Sequence, residues 1–330
     1  MKWTVSGAVV ILISLTLLSW IGSWVFLDKD SQYTETAAAL PLFSNTLSSP
    51  GSEARLVQIP AGEWTFKARV AGFDNPNPKG NLILLHGFPE TSIMWEALIT
   101  TAANAGYRVV AFDQRGYSPG ARPMDRGAYT GEKLVSDVFA VADAAGFEHF
   151  NLVGHDWGAV VGWQTVFTAP ERIDRFTALS IPHISAIAES FEVEPDLQSR
   201  SAYMAFYWLP WLPELSLSAD NFKALRDLYA DHPDHHTAEY LALFREHGAL
   251  TSALNWYRGG LSSIVQPSMK VAIPVQFIWG KNDPVTSSLA VDLQHNYMAG
   301  PFEITSLDAG HWIMETHTDA VVDAIMTSLD

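Results

Sequence analysis

Asn151-Leu152-Val153-Gly154-His155-Asp156-Trp157-Gly158-Ala159-Val160-Val161-Gly162 decides how this chain is read. A short apolar run ends on Gly-x-Asp-x-Gly, and an apolar sequence of helical character starts at once. That order predicts a sharp strand-to-helix turn, a nucleophile elbow, which holds a reactive side chain above the edge of a sheet. So tight a turn leaves no room for Cβ atoms beside it, hence Gly154 and Gly158. Serine is the usual residue at the apex. Here it is Asp156.

Working outward, residues 55–59 and 64–70 alternate as two strands. Residues 81–85 form a short buried-type strand that runs into His86-Gly87-Phe88-Pro89-Glu90. Residues 95–105 have helical spacing. A strand over 107–112 leaves through Asp113-Gln114-Arg115-Gly116, and a second helix covers 130–145, starting near Thr130. The helix opened by Trp157 ends before Pro170, and 176–181 is another strand. This β–α–β–α alternation predicts an α/β chain with a mostly parallel sheet and helices on both faces.

From 182 to 267 the rhythm changes. The sequence becomes helical, aromatic and broken by prolines, as in Tyr203-Met204-Ala205-Phe206-Tyr207-Trp208-Leu209-Pro210-Trp211-Leu212-Pro213, and no strand is evident. It reads as an inserted helical cap. The strand pattern resumes at 275–279, leaves through Gly280-Lys281-Asn282-Asp283-Pro284, and returns at 302–307 before Ala309-Gly310-His311. A final helix covers about 319–328. The expected organisation is an anchor at 1–27, a linker at 28–50, a core in two parts (51–181 and 268–330), and the cap between them.

Residues 3–27 carry no charge and run for about 25 residues, about 37 Å as helix against a hydrocarbon layer of about 30 Å. Trp3, Trp20 and Trp24 lie towards its ends, where aromatic residues settle at a membrane interface. Lys2 before it and Asp28 and Asp30 after it suggest a single-pass anchor with the catalytic part on the extracytoplasmic side. The alternative is a secreted protein cleaved near Ala37-Ala38-Ala39. The net charge of -16 argues against nucleic acid, whose phosphates demand a basic face. The absence of cysteine excludes disulfides, thiolate catalysis and cysteine metal sites, and leaves the compartment open.

Asp156, Asp283 and His311 all stand at strand exits, which share one rim in an open parallel sheet. Nucleophile, acid, histidine is the chain order of one family of hydrolase triads. His311 would be the base, with Asp283 orienting its imidazole. An aspartate attacking an ester or amide would form a mixed anhydride, a poor intermediate. Attack on a saturated carbon forms an ordinary ester, hydrolysed at the aspartate's own carbonyl by water that His311 deprotonates. The oxyanion then develops on Asp156. The expected donors to it are the backbone N–H groups of Trp157 and Phe88, each worth about 3–4 kcal/mol in comparable sites. The substrate follows as an electrophilic sp³ carbon, an epoxide or an alkyl halide.

His86-Gly87-Phe88-Pro89-Glu90, Gly154-His155-Asp156-Trp157-Gly158 and Gly310-His311-Trp312 resemble the motifs of epoxide hydrolases of the α/β-hydrolase superfamily, over a span from about residue 55 to the C terminus. The resemblance implies the α/β-hydrolase fold, a mostly parallel central sheet flanked by helices with an inserted α-helical cap. It implies that Tyr257, in Leu254-Asn255-Trp256-Tyr257-Arg258, and Tyr203, in Ser201-Ala202-Tyr203-Met204, hold the epoxide oxygen. Tyr207, one helical turn from Tyr203, is its rival. The chemistry agrees: opening an epoxide creates a basic alkoxide, and a phenol with pKa about 10 is protonated at neutral pH and can donate to it. Tyr207, Trp208 and Trp211, with Phe206, are expected to line a path for a small apolar epoxide. Water is the second substrate, and neither metal nor cofactor is expected.

Haloalkane dehalogenases share the Asp–His–Asp machinery, and Trp157 fits them equally. Their second halide donor is commonly Asn or Trp, whereas the position after His86-Gly87 holds Phe88, so Trp208 or Trp211 would have to serve from the cap. A halide also leaves without a proton, which would leave paired phenols idle. Fluoroacetate-type dehalogenases resemble His-Asp-Arg-Gly at the elbow, where this chain has Trp157. A non-catalytic, membrane-tethered binding protein would show a broken triad, and none is broken. His232-Pro233-Asp234-His235-His236 reads as a solvated turn rather than a metal site, and His86, His155 and His183 read as structural.

Overall fold

The structure, a computed structural model, describes residues 32–44, 54–260, 264 and 270–329. Its sheet has eight strands: β1 (Arg55–Ala61), β2 (Trp64–Ala71), β3 (Asn81–Leu85), β4 (Arg108–Phe112), β5 (Phe150–His155), β6 (Ile173–Leu179), β7 (Val275–Gly280) and β8 (Phe302–Leu307). They lie in the order β1-β2-β4-β3-β5-β6-β7-β8. β1, β2 and β4 pair antiparallel, and every pairing from β4 to β8 is parallel. The central strand β3 is covered on both faces, so its apolar run is unbroken; β1, at the edge, alternates.

Helices cover both faces. On one, α2 (Glu96–Asn104) and the C-terminal helix Thr318–Leu329 pack against Leu82, Leu84, Val109 and Ile278. On the other, α3 (Gly131–Ala144) and α4 (Trp157–Thr168) cover Ile83, Leu85, Val110 and Phe176. Between β6 and β7 run α5 (Ile184–Val193), α6 (Pro195–Arg200), α7 (Ala202–Tyr207), α8 (Leu212–Leu228), α9 (Asp234–Phe244) and α10 (Ala249–Asn255), then a π-helical stretch, Trp256–Gly260. α8 is broken at Ala219–Phe222. These helices form the expected cap.

Buried charge ties the cap to the sheet. Glu239 of α9 accepts from Lys67 (2.7 Å), from Arg69 (2.5 and 3.1 Å) and from the Thr91 hydroxyl (3.0 Å), while Lys67 also meets Asp113 at 3.0 Å. Burial works against ionising Glu239, and the Lys67 and Arg69 charges more than offset it, holding its carboxyl below the usual range. The Trp256 indole donates to the Arg115 carbonyl at 2.8 Å.

Two expectations shift. β6 starts at Ile173 rather than at 176, because Ile173 pairs with Phe150 although polar Asp174 and Arg175 interrupt the apolar run. The stretch 28–50 is not all tether. Residues 32–38 form α1 (Gln32–Ala38), and Leu42 bridges to Gln58 at the free edge of β1. There Phe43 packs edge-on against Phe73, with ring centroids 4.9 Å apart. Residues 3–27, expected to be an anchor, lie outside the described residues. Among the described residues no helix is long and apolar enough to cross a membrane.

Candidate active site

Asp156 follows β5 with φ 51° and ψ -123°, a conformation that few side chains adopt and that packing on all sides must enforce. The enforcement is visible in the neighbouring glycines. A Cβ on Gly158 would lie 2.1 Å from the Leu85 carbonyl oxygen, and one on Gly87 would lie 2.4 Å from Asp156 Cβ. Asp283 follows β7 and His311 follows β8, so the carboxyl ends of three parallel strands carry the three groups to one place.

His311 Nδ1 lies 2.8 Å from Asp283 Oδ2, and His311 Nε2 lies 3.6 Å from Asp156 Oδ2. The other Asp283 oxygen accepts from the backbone N–H of Val285 (2.7 Å) and Thr286 (3.3 Å), which fixes the carboxylate's orientation. Burial would raise the Asp283 pKa, but the His311 charge and these donors hold it below the usual value. Burial likewise opposes the His311 proton. The carboxylates of Asp283 and Asp156 outweigh it and raise His311 to about 10. Asp156 Oδ1 accepts from the Phe88 N–H at 2.9 Å. Trp157 opens α4, so its N–H is one of the first-turn donors that have no acceptor within the helix.

Over Asp156 stand three phenols. The Tyr257 ring is edge-on to Trp157 (5.1 Å), Phe88 (5.5 Å) and Tyr207 (5.1 Å), and Tyr203 lies 6.4 Å from Tyr257. Burial first, and then the Asp156 charge, raise the pKa values of Tyr203 and Tyr207; for Tyr257, burial and the neighbouring Tyr203 lead. All three are proton donors at neutral pH. Trp208 and Trp211, expected to line the path, do not join them. Trp208 is 53% and Trp211 41% exposed, and the chain bends there through Pro210 and the positive φ of Trp211 (53°).

Three contacts not assigned from the sequence brace His311. The His311 carbonyl accepts from Ser180 Oγ (3.0 Å) and faces His155 Nε2 (3.1 Å), while His155 Nδ1 lies 3.0 Å from Glu90 Oε2. Glu90 is wholly buried; burial works against its charge, and His155 and His232 hold its carboxyl well below the usual range. Its place in His-Gly-Phe-Pro-Glu was the available signal. His86 fills a similar role on the other loop, receiving the Gln114 N–H at 3.0 Å.

The histidine cluster is not the solvated turn expected. His232 and His236 are buried at the start of α9, and only His235 is exposed. His236 lies between Glu315 (2.8 Å) and Glu96 (3.0 Å), whose carboxylates outweigh burial and raise its pKa. Among the described residues, two groups could hold a metal by donor type: Glu96, His235 and His236, and Glu90, His232 and Glu315, with donor atoms within 4.8 Å in each.

The family described as alpha/beta hydrolase fold matches residues 80–190. The chain is 30% identical to human epoxide hydrolase 4 over 260 residues, covering 75% of this chain and 72% of that one. It is 32% identical to the AB hydrolase superfamily protein YfhM of Bacillus subtilis, covering 70% and 84%. Among solved structures, a mutant of an epoxide hydrolase from Bacillus megaterium, complexed with its product (R)-3-[1]naphthyloxy-propane-1,2-diol, superposes with a TM-score of 0.73. That likeness covers 82% of this chain and 98% of the other at 23% identity, and it speaks to the fold.

Proposed function

The chain belongs to the epoxide hydrolase family of the α/β-hydrolase superfamily, and we propose that it opens an apolar epoxide to a vicinal diol through an ester on Asp156. Asp156 Oδ2, the oxygen not held by Phe88, attacks an epoxide carbon. Tyr203 and Tyr257 donate to the departing oxygen, so the C–O bond breaks as the O–H bond forms. His311 then takes a proton from water, which attacks Cγ of the ester. The oxyanion develops on Oδ1, where the Phe88 and Trp157 N–H groups receive it. Asp283 holds the imidazole in place and stabilises its positive charge. As the oxyanion collapses, His311 returns its proton to the departing diol oxygen and the new Asp156 carboxyl gives its proton to the tyrosinate, which releases the diol and restores carboxylate, imidazole and phenol.

One observation carries this reading. The two oxygens of Asp156 face different partners, Oδ1 the Phe88 N–H at 2.9 Å and Oδ2 the His311 side, beneath phenols that burial keeps protonated. Trp208 and Trp211, 53% and 41% exposed, are not among the buried rings around Asp156, which weighs against either as the second donor a halide would need. The apolar, uncharged run at 3–27 supports a single-pass N-terminal anchor, with the catalytic part on the extracytoplasmic side.

Incubation with styrene oxide and with 1-bromobutane, following diol and bromide separately, tests the activity. Diol from styrene oxide without bromide is the expected result. Bromide release without diol would reverse the assignment, and neither product from folded protein would favour a binding protein.

A further inference from the structure

Within Phe206–Leu215, six large apolar side chains are between 36% and 53% exposed: Phe206, Trp208, Leu209, Trp211, Leu212 and Leu215. An exposed cluster of this kind on a soluble surface marks a binding face. It is held in shape from behind. Arg258 donates to the carbonyls of Tyr207 (3.1 Å) and Leu209 (2.6 Å) and pairs with Glu214 at 2.7 Å, so the one acidic side chain within this run is neutralised on the inner side.

We propose that this face of the cap rests on the surface of a lipid bilayer and that the substrate is a lipid-dissolved epoxide. The docking rests on the reading of residues 3–27 as a membrane anchor. Two further observations single out the bilayer as the occupant. Only residues 28–31 separate the apolar run from Gln32, the start of α1, so the two lie at most about 18 Å apart along the chain. α1 in turn packs against α9 of the cap, which keeps the cap on the membrane side of the molecule. Paired tryptophans among leucines also match the interfacial zone, where the ring is apolar and its N–H meets water and headgroups. With a net charge of -16, the lipid is zwitterionic rather than anionic.

The same helix connects lipid to chemistry. Phe206 faces out, while Tyr203 and Tyr207 pack around Tyr257 over Asp156, so an apolar molecule leaving the bilayer at α7 meets the phenols within one helical turn.

The chain has no cysteine, so a single introduced thiol reports one place. Full-length Leu209→Cys carrying an environment-sensitive fluorophore is reconstituted in phosphatidylcholine vesicles containing doxyl-labelled lipid. Asp174→Cys is the control, exposed at the amino end of β6, the opposite rim of the sheet. Blue-shifted emission and several-fold stronger quenching at 209 than at 174 is the expected result. Flotation with the vesicles but equal, water-like emission at both positions would overturn the docking and leave the anchor standing. No flotation would overturn both. Diol formation from styrene oxide in the same samples reports the hydrolase reading separately. Leu209→Ser with Leu212→Ser should raise KM several-fold for an epoxide dissolved in the vesicles and leave kcat for styrene oxide unchanged. An unchanged KM would remove the bilayer as the source of substrate.

Discussion

His311→Gln is expected to leave a protein that reacts once and stops. Glutamine fills a similar volume but cannot take a proton from water. The attack by Asp156 needs no base, so an alkyl ester should accumulate, visible in the intact protein as a mass increase equal to that of the epoxide. Steady turnover should fall by about 10³- to 10⁴-fold. The electrostatics of the pair support this division of labour. In the free enzyme the carboxylates of Asp283 and Asp156 raise His311 to about 10, so at neutral pH it is an imidazolium and no base. Esterification neutralises Asp156 and withdraws one of the two charges holding that proton. On the proposed scheme, the imidazole becomes a base only after the ester exists. In the wild type, ester hydrolysis in a single turnover should therefore rise with pH to a plateau, with an apparent pKa below that of the free enzyme. A His311→Gln protein that gains no mass yet turns over would remove His311 from the scheme.

Removing the phenols should have the complementary effect, on attack rather than on hydrolysis. Tyr257→Phe is expected to slow alkylation by about 10²-fold, and with Tyr203→Phe by up to about 10⁴-fold, the range spanned by general acid catalysis. The rings remain, so packing around Phe88 and Trp157 is preserved and thermal unfolding should shift little. Hydrolysis of an ester already formed should be unchanged, and rapid-quench measurement separates the two steps. Tyr207 lies closer to Tyr257 than Tyr203 does, at 5.1 against 6.4 Å between ring centroids. A larger loss from Tyr207→Phe than from Tyr203→Phe would make Tyr207 the second donor. Full alkylation in the double variant would end the acid role of both.

Much of this was legible in the chain because the sheet is buried on both faces. β3, β4, β5 and β7 read as short apolar runs, and the residue that follows such a run at the carboxyl rim is where chemistry collects. The elbow was readable from its glycines, since close backbone approach excludes other residues. Direction was harder. Trp208 and Trp211 are apolar in a segment that lines the site on one side and faces outward on the other, and composition carries no sign for which is which. The bracing of His311 by Ser180, His155 and Glu90 was hidden because its target is a backbone carbonyl, which leaves no pattern in sequence. His232 and His236 read as solvated because they stand in a polar, proline-containing stretch. His236 is buried between Glu96 and Glu315, and His232 lies 3.8 Å from Glu90, groups brought in from segments distant in the chain.

The covalent ester is the centre of the account, and a single turnover of the wild-type protein in ¹⁸O-water tests it most directly. With enzyme in excess over epoxide, water should enter at Cγ of Asp156. Digestion should then find one ¹⁸O in the peptide carrying that residue, and the diol of that first turnover should be unlabelled. Label in the diol, with the Asp156 peptide at its natural mass, would mean that water attacks the epoxide directly and that no ester forms.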